Sequence, residues 1–168
     1  MQPVRVQHEF EKFVERVETR LISYLRFSLR DHTEAEDLFQ ETLLRAHGEW
    51  DRLAEMDRPD AWLFRVARNL MINRSKRRQT ERRALNEKVH ESAVNNASPA
   101  ERNELRRAVQ AALNDLPQDQ REAVSLKVWG ECTWVEIGVT LGVSEDTASR
   151  LFSRGLKAIA PHLKDLKP

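Results

Sequence analysis

The feature that most constrains this chain is a glycine turn between two capped helix starts near its C-terminus. Thr133 and Glu136 have the spacing of a capping box, in which a hydroxyl and a carboxylate each satisfy a free backbone amide. Leu141-Gly142-Val143 then supplies a tight turn, and Ser144 can cap a second helix that runs to about Ala160. Two short helices joined in this way predict a helix-turn-helix.

The helix after Ser144 has two distinct faces. Helical spacing places an apolar set inside, namely Ala148, Leu151, Phe152, Leu156 and Ile159. The open face carries Asp146, Ser149, Arg150, Ser153, Arg154 and Lys157. Short hydroxyls permit close approach to a groove, and arginines bind phosphates or guanine edges, so this face predicts DNA contact. The alternative is a helical hairpin with a solvated basic face.

Two further helices are predicted before the motif. The first carries an apolar stripe made of Leu105, Val109, Ala112 and Leu113. The second starts at Pro117, which suits a first helical position, and it is expected to turn Val124, Val128 and Trp129 inward. The C-terminal half is therefore predicted to be entirely helical.

A strongly basic amphipathic helix is predicted from Asp60, as N-cap after Pro59, to about Arg83. Its core face consists of Leu63, Val66, Ala67, Leu70 and Met71, and a second face carries Trp62, Arg65, Asn69, Asn73 and Lys76. Between Arg65 and Arg83 the basic residues are opposed by a single acid, Glu81. This charge would hold phosphates. The alternative is a solvated basic helix end that complements the helix dipole.

Two helices are predicted ahead of the basic helix, over Val6 to Arg30 and from a second capping box at Thr33 and Glu36. Gly48 is expected to end the second of them in a left-handed conformation. One face of that helix carries acids around a leucine, namely Asp37, Gln40, Glu41 and Leu44. This face is either an ordinary wet surface or a docking stripe for a basic partner helix.

Two segments lack helical periodicity. Glu49 to Pro59 is interpreted as a loop or short turn in which Trp50 and Leu53 could pack down. Val89 to Pro99 is small and polar and is the best linker candidate. The expected organisation is an all-α chain of two small domains, 1–88 and 101–168, joined by a flexible linker over 89–100.

Composition excludes several functional classes. Cys132 is the only cysteine, so an internal disulfide and a multi-cysteine zinc site are excluded. The histidines lack ligand spacing, and no phosphate loop or nucleophile constellation is present, so neither a metal or other cofactor nor an enzyme is expected. No apolar run is long enough to span a membrane, and the first twenty residues are too charged for a secretory signal, so we expect a cytoplasmic protein.

The two halves together resemble the bacterial sigma-70 family, in its compact extracytoplasmic-function (ECF) group. In the N-terminal half, Ala35-Glu36-Asp37-Leu38-Phe39-Gln40-Glu41 is similar to the family's polymerase-docking helix, and Trp62 to Leu70 is similar to its promoter-melting helix. In the C-terminal half, Leu116-Pro117 and Arg121 match the family's C-terminal domain. Trp134-Val135-Glu136-Ile137 and Leu141-Gly142-Val143-Ser144 then follow in the family's order and spacing.

The resemblance implies three surfaces on an RNA polymerase sigma factor that directs promoter-specific initiation. Docking on the basic coiled coil of the polymerase beta-prime subunit would use Asp37, Leu38, Gln40, Glu41 and Leu44. Binding and opening of the minus-ten element would use Trp62, Arg65, Arg68, Asn69, Asn73, Lys76 and Arg77, with Asp51 to Pro59 as the loop that captures an extruded base. Contact with the minus-thirty-five duplex would use Ser144, Ser149, Arg150, Ser153, Arg154 and Lys157.

The resemblance also implies contact with the polymerase beta flap and an anti-sigma factor as a further partner. The chain departs from the family pattern at Asn73, where an acid is usual, at Glu145-Asp146, and at Gly138 and Gly155, where alanine is common. Promoter sequence therefore does not follow by analogy. Two alternatives are a sigma-like decoy that sequesters an anti-sigma factor, and a plain helix-turn-helix regulator, which leaves residues 1–100 unexplained.

Overall fold

A computed structural model of the chain describes residues 3–29, 31–85 and 100–164. These residues form helices α1 (Pro3–Ser28), α2 (His32–Gly48), α3 (Trp50–Leu53), α4 (Pro59–Ala84), α5 (Ala100–Asn114), α6 (Gln118–Val128), α7 (Trp134–Leu141) and α8 (Glu145–Lys164). The described part of the chain contains no strand, and the all-α expectation is confirmed. The chain divides into two compact units, Met1–Ala93 and Val94–Pro168. The proposed linker over 89–100 lies almost entirely outside the described residues.

In the first unit, α2 packs against both α1 and α4. The long apolar stripe of α1 supplies much of the core, with Val17, Leu21, Tyr24 and Leu25 essentially inaccessible to solvent. Tyr24 meets the ring of Phe64 from α4 edge-on at 5.6 Å. This burial fixes which sides of α2 and α4 remain open, and those sides carry the candidate functional residues.

The N-terminus of α4 is tied to α1 by charge. Both oxygens of the Asp60 carboxylate accept hydrogen bonds, one from Arg16 at 2.5 Å and one from Arg20 at 2.9 Å. The prediction that Asp60 caps the helix is wrong, because α4 begins one residue earlier with Pro59 in its first turn, and Arg58 is at the cap position without a side-chain hydrogen bond. Pro59 needs no amide partner, so this helix start tolerates a missing cap.

Three other local predictions in this unit need correction. The start of α2 is capped by Asp31, whose carboxylate accepts from the amides of Thr33 and Glu34, so the predicted capping box at Thr33 and Glu36 is wrong. Gly48 is the last helical residue and does not adopt a positive φ. The segment after it contains the short helix α3, and Trp50 and Leu53 are buried as expected.

In the second unit, α8 packs against α5, α6 and α7. The predicted capping box at Thr133 and Glu136 is confirmed, with both reciprocal hydrogen bonds present. Gly142 ends α7 in the left-handed region at φ 71°, where a residue without Cβ is least strained. The hydroxyl of Ser144 accepts from the Thr147 amide and starts α8. The helix-turn-helix is therefore built by local hydrogen bonds that follow directly from the sequence.

Two apolar residues expected inside this unit are exposed, Val128 and Leu156. Val128 is the last residue of α6, and Pro117 precedes that helix as its cap instead of being its first residue. Helical spacing identifies an apolar side, but the neighbouring helices decide how far along that side they cover it. Ala148, Leu151 and Ile159 are buried on α8 as predicted.

The glycines that depart from the alanine pattern occupy close contacts. A Cβ on Gly138 would lie 2.8 Å from the Val143 carbonyl oxygen, which is part of the turn after α7. A Cβ on Gly155 would lie 2.8 Å from Cγ2 of Val124 on α6. Both distances are shorter than real Cβ contacts permit, so these glycines let backbone and helices approach closely.

Candidate functional site

The predicted docking residues lie on α2, and they differ in their exposure to solvent. Asp37 and Gln40 are exposed, and Leu44 is 73% exposed. Neither Asp37 nor Gln40 has an ion-pair or hydrogen-bond partner among the residues that the structure describes. Leu38 is fully buried, so it can support this surface from below but cannot contact a partner itself. An exposed leucine between an acid and an amide therefore forms the open part of the stripe.

Glu41 differs from the rest of the stripe because it is turned toward α4. One carboxylate oxygen accepts from Arg45 at 3.0 Å, and the other accepts from Arg74 at 2.8 Å. The Glu41 and Arg74 side chains are each about one-third exposed. The hydrogen bond from Arg74 holds the pKa of the Glu41 carboxyl below its ordinary value. Glu41 is thus a link between helices and not a free docking acid.

A second interhelical ion pair lies beside the first. Arg78 of α4 pairs with Glu34 of α2, whose side chain is only 12% exposed. Arg77 pairs with Glu81 one turn further along α4, at 2.9 Å. These residues line an open groove between α2 and α4, together with Asp31, Asn73 and Arg74. The side of α4 that faces α2 therefore carries arginines whose charge is matched by carboxylates.

A second side of α4, next to the groove, carries most of the predicted nucleic-acid residues; Asn73 lies at the border between the two sides, and Arg77 lines the groove. Arg65, Asn69, Asn73 and Lys76 are exposed, and Trp62 and Arg68 are half-buried. Arg65 and Lys76 have no ion-pair partner in the described part of the chain. Ile72 is half-buried on the same face, three residues after Asn69 and four before Lys76. Helical spacing alone places Ile72 on this face, although the sequence-based list of nucleic-acid residues omits it.

This side of α4, which we call the amide face, consists of Trp62, Arg65, Asn69, Asn73 and Lys76. Its side chains are suited to binding an unpaired base. An indole offers a surface for stacking, and amides can read the hydrogen-bonding edge of a base that has left the duplex. Two unpaired cations nearby can hold the backbone phosphates. The structure thus separates the predicted basic stretch into an amide face and a charge-matched groove side.

The exposed face of α8 has an ion pair, which lies within the helix itself. Arg150, Ser153, Arg154 and Lys157 are exposed, and Ser149 is half-buried. Arg150 pairs with Asp146 one turn earlier on the same helix. Arg154 and Lys157 have no ion-pair partner in the residues described. This face therefore presents two unmatched cations beside two hydroxyls, which suits contact with phosphates and base edges of a duplex.

Each unit of the chain matches a different family model. Residues 13–81 match sigma-70 region 2, and residues 106–159 match sigma-70 region 4. Together the two matches cover more than half of the chain. The chain belongs to the sigma-70 family of RNA polymerase sigma factors.

Comparison with relatives places this sigma factor in the ECF group. It is 28% identical to the RNA polymerase sigma-E factor of Streptomyces avermitilis over 93% of this chain and 86% of the relative. It is also 28% identical to the ECF sigma factor SigW of Bacillus subtilis, over 79% and 77% of the two chains. With the ECF sigma factor SigL of Mycobacterium tuberculosis, the identity is 29% over 84% and 82%.

Solved structures share the fold. The sigma factor RpoE of Bartonella quintana, crystallised in complex with the anti-sigma factor NepR, aligns with a TM-score of 0.75 at 24% identity, over 95% of this chain and 99% of that one. CnrH in complex with the cytosolic domain of CnrY aligns with a TM-score of 0.67 at 20% identity, over 96% and 91%. No described helix is both long enough and apolar enough to cross a membrane. Within the described residues, no acidic, histidine and cysteine side chains cluster as a metal site would require.

Proposed function

We propose that this sigma factor docks on core RNA polymerase through Asp37, Gln40 and Leu44, and opens promoter DNA with the amide face of α4. The observation that supports this division is that the two surfaces lie on different helices of one packed unit. A basic partner helix can occupy α2 while single-stranded DNA occupies α4, without competition for the same side chains. Glu41 contributes to docking at the edge of the stripe, where it is already engaged by two arginines.

The second unit supplies duplex recognition in this proposal. Arg154 and Lys157 hold the phosphates of the minus-thirty-five element, and Ser149, Arg150 and Ser153 lie at the base edges or sugars. Ser144 acts at the helix N-terminus, where its side chain caps α8. The proposed domains are 1–88 and 101–168, with 89–100 passing through the polymerase between them.

Further proposals concern partners and location. An anti-sigma factor is the proposed inhibitor, and the beta flap is the proposed contact of the second unit on the polymerase. The factor acts in the cytoplasm with the polymerase, and it carries out no catalysis of its own. Docking, melting and duplex recognition are all binding functions, and the surfaces described above need no reactive group for them.

The deciding experiment combines the chain with purified core polymerase and maps transcription starts. Co-purification with core and promoter-directed initiation are the expected results. If the wild-type chain never binds core yet binds an anti-sigma factor tightly, the decoy replaces the sigma factor as the function.

Trp62→Ala tests the melting surface in the same assay. Loss of one stacking platform, worth about 1 to 3 kcal/mol per base, should slow open-complex formation on duplex promoters. Templates already mismatched across the melted region should be affected much less. Thermal unfolding is the control, since a fully buried tryptophan would cost about 3 to 5 kcal/mol on truncation, whereas Trp62 is only half-buried. Equal losses on both templates would contradict the assignment.

A further inference from the structure

The groove between α2 and α4 contains more positive charge than the amide face, yet nearly all of it is matched. Arg45 and Arg74 share the two oxygens of Glu41, and Arg78 pairs with Glu34. A guanidinium that is hydrogen-bonded to a carboxylate gains little by moving to a phosphate, because it exchanges one anionic acceptor for another. The carboxylates therefore decide how much of this basic helix is available to nucleic acid.

The geometry makes Glu41 the more consequential of the two acids. Its two oxygens engage two arginines on different helices, so removal of one negative charge would free two guanidiniums. Asp37, which is on the same helix one turn earlier, has no partner among the described residues. Glu41 and Asp37 thus lie on the same helix, but only Glu41 pairs with arginines.

We propose that Glu41, assisted by Glu34, is a specificity-determining residue that withholds Arg45, Arg74 and Arg78 from nucleic-acid phosphates. Contact with DNA is then confined to the amide face, where Trp62 and Asn69 can distinguish unpaired bases. Without these carboxylates, the groove becomes a cationic surface that binds any nucleic acid, because phosphate contacts carry no sequence information. This inference rests on the proposed function of the amide face and deepens it.

The experiment measures binding of the free full-length chain to a duplex of arbitrary sequence, without polymerase, across a salt series. Glu41→Gln is compared with Asp37→Asn, which removes the same charge from the same helix but releases no arginine. For Glu41→Gln we expect tighter binding and a steeper salt dependence, by about 0.9 in the log–log slope for each phosphate gained. From about 50 to about 200 mM salt, its advantage over wild type should shrink about threefold for one released arginine and about tenfold for two.

Two further variants make the result specific to the pairs. Arg74→Ala in the Glu41→Gln background should remove the part of the gain that Arg74 supplies and lower the salt slope by about 0.9, while Arg74→Ala alone should change little. Glu34→Gln should produce a separate gain by releasing Arg78. Circular dichroism verifies that each variant keeps its helical content, and Glu34→Gln provides the same test if Glu41→Gln does not fold.

The proposal is overturned if Glu41→Gln and Glu34→Gln bind no more tightly than Asp37→Asn, or if the gain survives Arg74→Ala and the slope is unchanged. Those outcomes would mean that the effect is one of net charge only. Failure of this inference is distinguishable from failure of the proposed function. A wild-type chain that does not initiate transcription with core polymerase refutes the function, whereas the comparison among variants uses no polymerase.

Discussion

The two units of this sigma factor both carry arginines on their candidate DNA-binding helices, seven on α4 and two on α8, but neutralise them differently. In the first unit, Arg74 and Arg78 of α4 pair with carboxylates of another helix, at sequence separations of more than thirty residues. In the second unit, Arg150 of α8 pairs with Asp146 within one helical turn. Charge in the first unit is therefore set by tertiary packing, and charge in the second is set by local spacing.

This difference teaches that the basic composition of a helix does not measure its readiness to bind phosphate. The basic stretch of α4 is the richer of the two in arginine, but Arg74 and Arg78 pair with carboxylates of α2, and Arg77 pairs with Glu81 of α4 itself. The face of α8 has fewer cations, and Arg154 and Lys157 have no ion-pair partner within the described residues. A cation that already pairs with a carboxylate of the protein adds less to phosphate binding than an unpaired one.

The largest expected effect is on polymerase docking. Asp37→Lys places a cation against the basic partner surface, and like charges at an interface cost several kcal/mol, which is about a hundredfold or more in affinity. A binding titration with core polymerase measures the loss, and thermal unfolding should be nearly unchanged. Glu41→Lys should differ, because it also breaks the pairs with Arg45 and Arg74 and should lower stability. An Asp37→Lys variant with wild-type affinity for core would contradict the docking assignment.

The next comparison is between the two arginines of α8. If Arg154 reads a base, Arg154→Ala should weaken binding to the upstream element by about 1 to 3 kcal/mol, and the loss should be specific to one base position. If Arg154 holds a phosphate, the loss should be the same for all DNA sequences, with a salt slope smaller by about 1. Arg150→Ala should cost less, since Asp146 already matches its charge. Asp146→Asn should then increase affinity. Binding across salt and base variants measures all three, and equal losses for both arginines would show that the Asp146 pair does not persist on DNA.

Two glycines sharpen the comparison at the level of stability. Gly138→Ala should destabilise the second unit by about 1 to 3 kcal/mol through overpacking, because the new Cβ would meet the Val143 carbonyl. Gly48→Ala should stabilise the first unit by about 0.5 to 1 kcal/mol, since nothing lies within 4 Å of its Cβ position. Amide hydrogen exchange resolved by helix measures each unit separately. A stabilising Gly138→Ala would remove the close-contact explanation.

The smallest expected effect is the pH dependence of the Glu41 pair. The folded pKa of Glu41 lies below its ordinary value of 4.5, so the pair stabilises the fold above that value and this contribution is lost as the pH falls through the folded pKa. The difference in unfolding free energy between wild type and Glu41→Gln should therefore be present at neutral pH and vanish in acid. Its size should be below about 1 kcal/mol, because both side chains are partly solvated. A difference that does not change with pH would contradict the assignment to this carboxylate.

The sequence by itself determined the features whose partners lie within a few residues. The capping box at Thr133 and Glu136, the left-handed turn at Gly142 and the open face of α8 all follow from spacings of three to eight residues, and each is present in the structure. The amide face of α4 was likewise recoverable from helical periodicity. The all-α fold and the family follow from several such local signals in a fixed order.

Only the tertiary structure decided which charges are free and which glycines are required. Helical spacing puts Asp37 and Glu41 on the same face, and both line the groove toward α4, yet only Glu41 is held by Arg74, because the packing of the two helices decides which carboxylate an arginine meets. In the same way, the sequence shows only that Gly138 and Gly155 stand where alanine is common, whereas the structure places a carbonyl oxygen and a valine methyl group 2.8 Å from where their Cβ atoms would be. Contacts between helices distant in sequence leave no periodic signal, and that is the physical reason the sequence could not supply them.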